Sequence, residues 1–384
     1  MKHQVMIIAG EASGDLHGSG LVREMLGMKS DLEIFGIGGD RMQQQGVQLL
    51  YHINEMSVLG FWDVLKRFTF FRRVYHNLVK SMDEIQPSLI ILIDYPGMNL
   101  KLARAAQKRG IKVLYYIAPQ VWAWGSNRIQ KMIRLVDKMA VIIPFEQKMF
   151  QKAGIDARFV GHPLLETVNS TLSRDGFFQK YGLDANQKVI GLLPGSRPLE
   201  VKRLLPEMLQ TVRQLRKKHP DIQIIISKSD SLSCTIYQEI IQNNNQVKLL
   251  ENCTYNMMKH SDLLVVASGT ATLESALFAT PLIIVYKVDP ISYLIGKQLI
   301  RIDSIGLVNV IAERKIVPEF VQHQFHRDNL LPEMEKLLFD KDQRDDVINN
   351  LKEIKKKLGN TGASIRTAKM ALELMNSIST SQNA

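Results

Sequence analysis

The sequence predicts an α/β protein made of two Rossmann-like, doubly wound halves. Short apolar runs alternate with helical patterns along most of the chain, the rhythm of a parallel sheet covered on both faces. That alternation occurs twice, and Gly161-His162-Pro163 closes the first series. Several apolar runs also end in a Gly-containing turn that opens a helix, as in "IIAGEASGD", "LLPGSR" and "VASGTATLE".

Strands of the first half are expected at 5–9, 33–37, 89–93, 112–117, 139–143 and 158–160. Helices are expected near 15–28, 57–80, 99–109, 127–136 and 145–153. The second half gives strands at 188–193, 222–226, 247–250, 263–266, 282–286 and about 308–311. Its helices fall near 199–218, 234–243, 254–259, 271–278, 291–300 and 316–323, and a charged helical tail begins at Leu330. The domains are therefore 1–165 and 166–359, with a last helix, about 360–384, placed to pack back on the first. At 384 residues the chain has room for both cores, and a cleft between two such domains is a natural ligand site.

Composition excludes some classes. With 45% apolar and 23% charged residues the chain is an ordinary globular protein. Cys234 and Cys253 lack metal spacing and fit a reducing compartment, and no signal peptide is read at the start. The stretch 263–286 imitates a membrane span, with Glu274 its only charge. Ser268, Gly269, Thr270 and Pro281 split it into strand, turn, helix and strand, each too short to cross. The net charge of +11 leans toward the front: Lys and Arg outnumber Asp and Glu by 21 to 14 up to Phe159 and by 28 to 24 beyond it. An anionic partner follows, whether nucleic acid, anionic lipid or a phosphorylated substrate.

The opening loop, Gly10-Glu11-Ala12-Ser13-Gly14-Asp15, has neither G-x-G-x-x-G nor a Walker lysine. Glu11 and Asp15 would repel a pyrophosphate. The second half holds the better phosphate chemistry. In Pro194-Gly195-Ser196-Arg197 the glycine admits close backbone approach, the next helix aims its N-terminal amides at the same point, and Arg197 adds a planar fork. A plain turn with a surface arginine fits the same spacing. In "ASGTATLES" (267–275), Ser268, Gly269 and Thr270 again stand between a strand and a helix. Glu274, one turn in, could accept from a ribose diol, although an ordinary N-terminal cap reads alike. Two such loops in one half point to a nucleoside diphosphate.

The run 89–93 leads straight into Asp94 before Tyr95-Pro96-Gly97, where a carboxylate is placed to act as a general base or simply to form a turn. Trp122 and Trp124 follow the next strand and suit a sugar or acyl face or the core equally. On a helix over 56–80, Phe61, Val64, Leu65, Phe68, Phe71, Tyr75 and Leu78 share one face, with Trp62 and Phe70 off it. Lys66, Arg67, Arg72, Arg73 and Lys80 flank that face. The pattern fits a membrane-interface or acyl-accepting surface, and also a core helix with solvated basic edges.

Taken together, "GEASGD" (10–15), "IDYPGMN" (93–99), "APQVWAW" (118–124), "PFE" (144–146), "FVGHP" (159–163), "LLPGSR" (192–197), "ASGTATLE" (267–274) and "LVNVIAER" (307–314) resemble the lipid-A-disaccharide synthase family, inverting glycosyltransferases of the GT-B type. They stand in family order over nearly the whole chain. The resemblance implies transfer of 2,3-diacylglucosamine from UDP to 2,3-diacylglucosamine 1-phosphate, giving a β-1,6-linked disaccharide phosphate and UDP. It implies Asp94 as the essential aspartate and the arginine of the G-S-R motif at Arg197. Gly195, Ser196, Ser268, Gly269, Thr270, Glu274, Asn309 and Gln322 would join Arg197 around the UDP-sugar. On the acceptor and lipid side it places Glu11, Ser13, Gly14, Asp15, Trp122, Phe61 and Arg72. No cofactor is expected, and no metal, because no D-x-D carboxylate pair stands at the first-half strand ends; UDP is already a good leaving group, so no acid need protonate it and one base suffices. Expected partners are the two lipid substrates and the inner leaflet of the membrane, with peripheral attachment from the cytoplasm and room for a homodimer. Nucleic acid is not expected, since no recognised binding module is present. Departures occur at Gly97 and Met98, where many members carry Asp and Phe, and at Val308, Glu313 and Lys315. A sugar-nucleotide epimerase and a non-catalytic membrane scaffold are the rival readings.

Overall fold

The structure, a computed structural model, describes residues 3–56, 67–122, 127–242, 246–289, 293 and 304–381. The chain forms two compact units, one of Met1–Pro163 with Leu358–Ala384 and one of Leu164–Lys357.

Unit 1 runs β1 (His3–Ala9), α1 (Ala12–Met28), β2 (Leu32–Gly38), α2 (Asp40–Gln44), β3 (Gln48–His52), α3 (Ile53–Met56), α4 (Phe68–Ile85), β4 (Leu89–Ile93), α5 (Pro96–Gln107), β5 (Lys112–Tyr116), α6 (Asn127–Ile133), β6 (Lys138–Val141), α7 (Pro144–Lys152) and β7 (Ala157–Phe159). The strands form one parallel sheet ordered β3-β2-β1-β4-β5-β6-β7. Val5–Ala9 and Leu89–Ile93 are wholly buried, so these strands read as unbroken apolar runs rather than as alternations. Val74, Leu78 and Met82 of α4 and Leu102 and Ala106 of α5 pack on Ile8, Ile90 and Leu92. Gly36 in β2 has φ +149, and a Cβ there would strike the backbone carbonyl of Ile7, so only glycine lets β2 lie against β1.

Unit 2 runs α8 (Leu164–Thr167), α9 (Arg174–Tyr181), β8 (Lys188–Leu193), α10 (Pro198–Lys218), β9 (Ile222–Ser227), α11 (Cys234–Ile241), β10 (Val247–Leu250), α12 (Thr254–His260), β11 (Leu263–Ala267), α13 (Thr270–Leu277), β12 (Leu282–Tyr286), α14 (Leu307–Ala312), β13 (Glu319–Val321), a 3-10 turn (Gln322–Gln324), α15 (Arg327–Phe339) and α16 (Lys341–Lys357). Its parallel sheet is ordered β10-β9-β8-β11-β12-β13. The stretch that imitated a membrane span is β11, α13 and β12, and no helix among the described residues is long and apolar enough to cross a membrane. The last helix, α17 (Ala363–Ser381), returns to unit 1. Arg366 ties it there, donating from Nε to the Val160 carbonyl at 2.7 Å and from Nη2 to Asn360 O at 2.7 Å. Glu373 pairs with Lys138 (3.0 Å) and Arg158 (3.2 Å).

Three expectations change. The edge strand β3 has no apolar run to announce it, since Gln48 and Leu50 face solvent. Residues 308–311 form the middle of helix α14 instead of a strand, because a short buried apolar run fits either element. The sixth strand of the second sheet is Glu319–Val321, inside a stretch expected to be helical. The expected helix 291–300 and the first part of 57–80 lie outside the described residues apart from Tyr293 and 67–80.

Candidate active site

In each sheet the strand order reverses once, between β1 and β4 in unit 1 and between β8 and β11 in unit 2. Such switch points open a crevice beyond the carboxyl ends of the strands. The loops singled out in the sequence leave these four strands: Gly10–Asp15 after β1, Asp94–Gly97 after β4, Pro194–Arg197 after β8 and Ser268–Thr270 after β11.

At the unit 1 switch point Asp94 and Tyr95 both take left-handed backbone conformations, φ 45 and 46. Each such non-glycine residue costs on the order of 1–3 kcal/mol and persists only where its surroundings hold it. Here the Asp94 amide donates to Tyr116 O at 3.1 Å, and the Asp94 carbonyl accepts from Tyr115 Oη at 2.6 Å and Asn99 Nδ2 at 2.7 Å. The turn thus forces the half-buried Asp94 side chain out at the strand end. Burial, and then the nearby charge of Glu11, raises its carboxyl to about 6, while the Tyr95 amide pulls the other way. A base poised near neutral pH is what proton abstraction from a hydroxyl needs. Gly10 brings the opening loop against this turn, because a Cβ there would lie 2.7 Å from ring carbons of Tyr95.

The opening loop divides its labour. Glu11 and Ser13 are exposed. Gly14 is buried, and a Cβ there would lie 3.2 Å from Ala9 Cβ, so it serves the packing of α1 on β1. Asp15 does not face acceptor hydroxyls as expected. It is 3% exposed and accepts from the amides of Gly39 (2.7 Å), Arg41 (3.2 Å) and Met42 (3.0 Å) at the start of α2. Nothing near Asp15 in sequence signals this, since its partners lie more than 20 residues away. Asp15→Ala leaves buried donors unmatched and should cost about 2–4 kcal/mol in urea unfolding without touching the chemistry directly.

Trp122 is half-buried, its ring edge-on to Phe145 at 5.5 Å. Its Nε1 donates to Glu146 Oε1 at 3.0 Å. Glu146 is 1% exposed, at the first turn of α7, and entered the sequence reading only as part of "PFE". Burial raises its carboxyl to about 8, with Trp122 and the Ile143 backbone opposing and the Asp94 charge adding. Trp124 and Phe61 lie outside the described residues. Arg72 and Arg73 are exposed on α4, beside Phe68, which is 59% exposed. Phe71 and Tyr75 are only partly buried, and the buried stripe is Val74, Leu78 and Met82, which begins later than the sequence face suggested.

In unit 2, Gly195 has φ +111, and a Cβ there would collide with the Glu200 carboxylate. Glu200 Oε2 accepts from the amides of Ser196 (3.1 Å) and Arg197 (3.3 Å), and its other oxygen lies 3.7 Å from Arg197 Nη1. Arg197 itself is exposed. Across the switch point, Gly269 and Thr270 at the head of α13 are exposed, and a Cβ on Gly269 would meet nothing within 4 Å. Ser268 is half-buried, its hydroxyl 3.4 Å from Ile305 O. Glu274 Oε1 accepts from Tyr255 Oη at 3.0 Å, and burial raises its carboxyl. This edge therefore offers backbone amides, hydroxyls, one guanidinium and one carboxylate, a set suited to a diphosphate and a diol.

Asn309 and Gln322 take structural posts instead. Asn309 is 1% exposed; its Nδ2 donates to Val317 O (2.9 Å) and Glu319 Oε1 (2.7 Å), and its Oδ1 accepts from the Ile316 and Val317 amides. Gln322 pairs both ways with the Val288 backbone, at 2.8 and 3.1 Å. Their amides anchor the segments around the crevice, Gln322 on the backbone and Asn309 on the backbone and Glu319. Glu313 occupies a left-handed helix end (φ 60), a conformation that favours glycine.

Comparison with known proteins agrees with this architecture. A family model described as Lipid-A-disaccharide synthetase matches residues 5–373. A lipid-A-disaccharide synthase of Geobacter sulfurreducens is 43% identical over 374 residues, covering 97% of each chain. Two solved structures share the fold at low identity. One is a UDP-GlcNAc 2-epimerase from Neisseria meningitidis bound to UDP-GlcNAc (TM-score 0.60, 12% identity, 97% and 100% covered). The other is the glycotransferase of kitacinnamycin (TM-score 0.63, 13% identity, 97% and 98% covered). With the strand-end aspartate, the G-S-R loop and the S-G-T loop each at a switch point, and a match spanning almost the entire sequence, this chain belongs to the lipid-A-disaccharide synthase family.

Proposed function

We propose that the chain moves 2,3-diacylglucosamine from UDP to the 6-hydroxyl of 2,3-diacylglucosamine 1-phosphate in one inverting displacement. The products are the β-1,6 disaccharide 1-phosphate and UDP. Membership of the family makes the chain a lipid A disaccharide-forming hexosyltransferase. The observation that carries the mechanism is the strained turn that presents Asp94, its carboxyl raised toward neutrality, at the unit 1 switch point. Asp94 takes the hydroxyl proton as oxygen attacks the anomeric carbon from the face opposite UDP. The C–O bond to UDP breaks, and Arg197 with the amides and hydroxyls at the head of α13 stabilises the departing diphosphate. Glu274 is placed to accept from the ribose. No metal enters these steps, so turnover should survive EDTA undiminished. Loss of turnover in EDTA, restored by a divalent ion, would overturn that part.

The acyl chains and the membrane surface are assigned to the start of α4, where Phe68, Arg72 and Arg73 are exposed together. Each basic side chain near an anionic surface contributes about 1 kcal/mol. Replacing Arg72 and Arg73 by alanine should therefore weaken binding to anionic vesicles roughly tenfold or more, with little change for zwitterionic ones.

The deciding assay is UDP release by the purified protein with both diacyl substrates in detergent and EDTA. Release only with both lipids present establishes the transferase. Release from the donor alone would mean hydrolysis of the donor, while conversion of the donor to an epimer without release would favour the epimerase reading, which shares the fold. A folded protein that binds UDP and releases none would require another acceptor.

A further inference from the structure

Glu146 is a buried carboxyl that the mechanism above does not use. We propose that it is a positioning residue for the transfer, fixing the Trp122 indole at the carboxyl ends of the strands that also present Asp94. The inference rests on the transferase reading. Asp94, Trp122 and Glu146 follow β4, β5 and β6, three neighbours in the sheet. Glu146 Oε1 holds Trp122 Nε1 at 3.0 Å, and Phe145 closes on the ring edge-on. Glu146 Oε2 is buried without a hydrogen-bond partner among the described residues.

An amide at this position would offer the indole the same acceptor and could not ionise. The carboxyl at 146, with burial and the Asp94 charge holding its proton on near neutral pH, accepts from the indole on one oxygen and carries that proton on the other. It thereby adds no second negative charge beside Asp94, which already feels Glu11. Asn99 makes a similar arrangement beneath Asp94: its Nδ2 holds the carbonyls of Ile93 and Asp94, and its Oδ1 is buried without a partner among the described residues. Asn99 and a protonated Glu146 thus add neutral polar groups near the base, and the indole that Glu146 holds follows the neighbouring strand β5.

The test compares Glu146→Gln, Glu146→Leu and Trp122→Phe in the full-length protein. The Gln variant keeps an acceptor for the indole and should hold kcat and KM within about twofold of wild type at neutral pH. The Leu variant keeps the bulk and loses the acceptor. It should raise KM for the acceptor lipid at least about tenfold and leave UDP affinity unchanged. Trp122→Phe should give the same loss, and Glu146→Leu should add nothing in that background. The Trp122 indole N–H resonance, assigned by its absence in Trp122→Phe, should move in the Leu variant and stay in the Gln variant. Wild-type kinetics in a folded Leu variant, or losses that add in full, overturn the proposal. Should the Leu variant not fold, Trp122→Phe decides alone, and unchanged KM there overturns it. If the wild-type protein releases no UDP, the transferase reading fails, while the indole resonance still reports whether Glu146 holds the ring.

Discussion

Asp94→Asn is expected to lower kcat at least about a hundredfold while UDP affinity stays within about twofold of wild type. The amide has the shape of the carboxylate and cannot take a proton. The turn itself should survive, because Tyr115, Asn99 and Tyr116 hold the backbone of Asp94 and not its side chain. The residues proposed to hold the nucleotide lie in unit 2. The pH profile gives a second signature. With the carboxyl raised to about 6 by burial and by Glu11, kcat/KM should fall about tenfold per unit as pH drops below that value. Removing the neighbouring charge in Glu11→Gln should slide this limb to lower pH. Stability moves in the opposite sense. A carboxyl whose folded value is raised from 3.8 to about 6 contributes stability that is full below 3.8 and lost as pH climbs through 6. Asp94→Asn escapes that loss and should be more stable than wild type by about 3 kcal/mol near pH 7.5. An inactive and stabilised variant identifies a base. A destabilised variant with wild-type turnover would identify a turn residue and sink the assignment.

How far the sequence disclosed this arrangement depends on where each residue finds its partners. Val5–Ala9 and Leu89–Ile93 are buried on both faces, and an unbroken apolar run is the direct image of that burial. The strand-end positions of Asp94, Arg197 and Ser268 followed from those runs, because the turn after a parallel strand lies on the ligand edge. The edge strands were harder. β3 exposes Gln48 and Leu50, and β13 is the three residues Glu-Phe-Val, so neither carries a period to count. Polar side chains were hardest. Asp15, Asn309 and Gln322 share the residue types of ligand contacts, yet each is engaged by groups of the protein itself, Asn309 by backbone groups and the Glu319 carboxylate. Asparagine offers one acceptor and two donors whether a nucleotide or a loop will use them. Glu146 was invisible for the converse reason. Its significance lies in the Trp122 indole 24 residues earlier and in burial, neither of which a three-residue motif reports.

Arg197→Ala carries the other large expected effect, a fall in kcat/KM of roughly a hundred- to a thousandfold, the loss typical when one donor to a developing anion is removed. The structure explains why so much should rest on one side chain. The head of α10 would ordinarily share the diphosphate charge among its amides. Here the Glu200 carboxylate already accepts from the amides of Ser196 and Arg197, so in this geometry those donors serve the protein's own anion. Arg197 is spent far less: its side chain is 69% exposed and its guanidinium lies 3.7 Å from the Glu200 carboxylate. An exposed pair of this kind contributes little to folding, so Arg197→Ala should melt with the wild type. Arg197→Lys should recover only part of the rate, because a point charge cannot span two oxygens as the planar fork does. Glu200→Gln tests the same balance from the other side. It removes a negative charge from the diphosphate's path, keeps an acceptor for the two amides, and should tighten UDP binding. If UDP binds Arg197→Ala as well as it binds the wild type, and turnover is unchanged, the diphosphate is held elsewhere and the G-S-R loop is the plain turn that its spacing also allows.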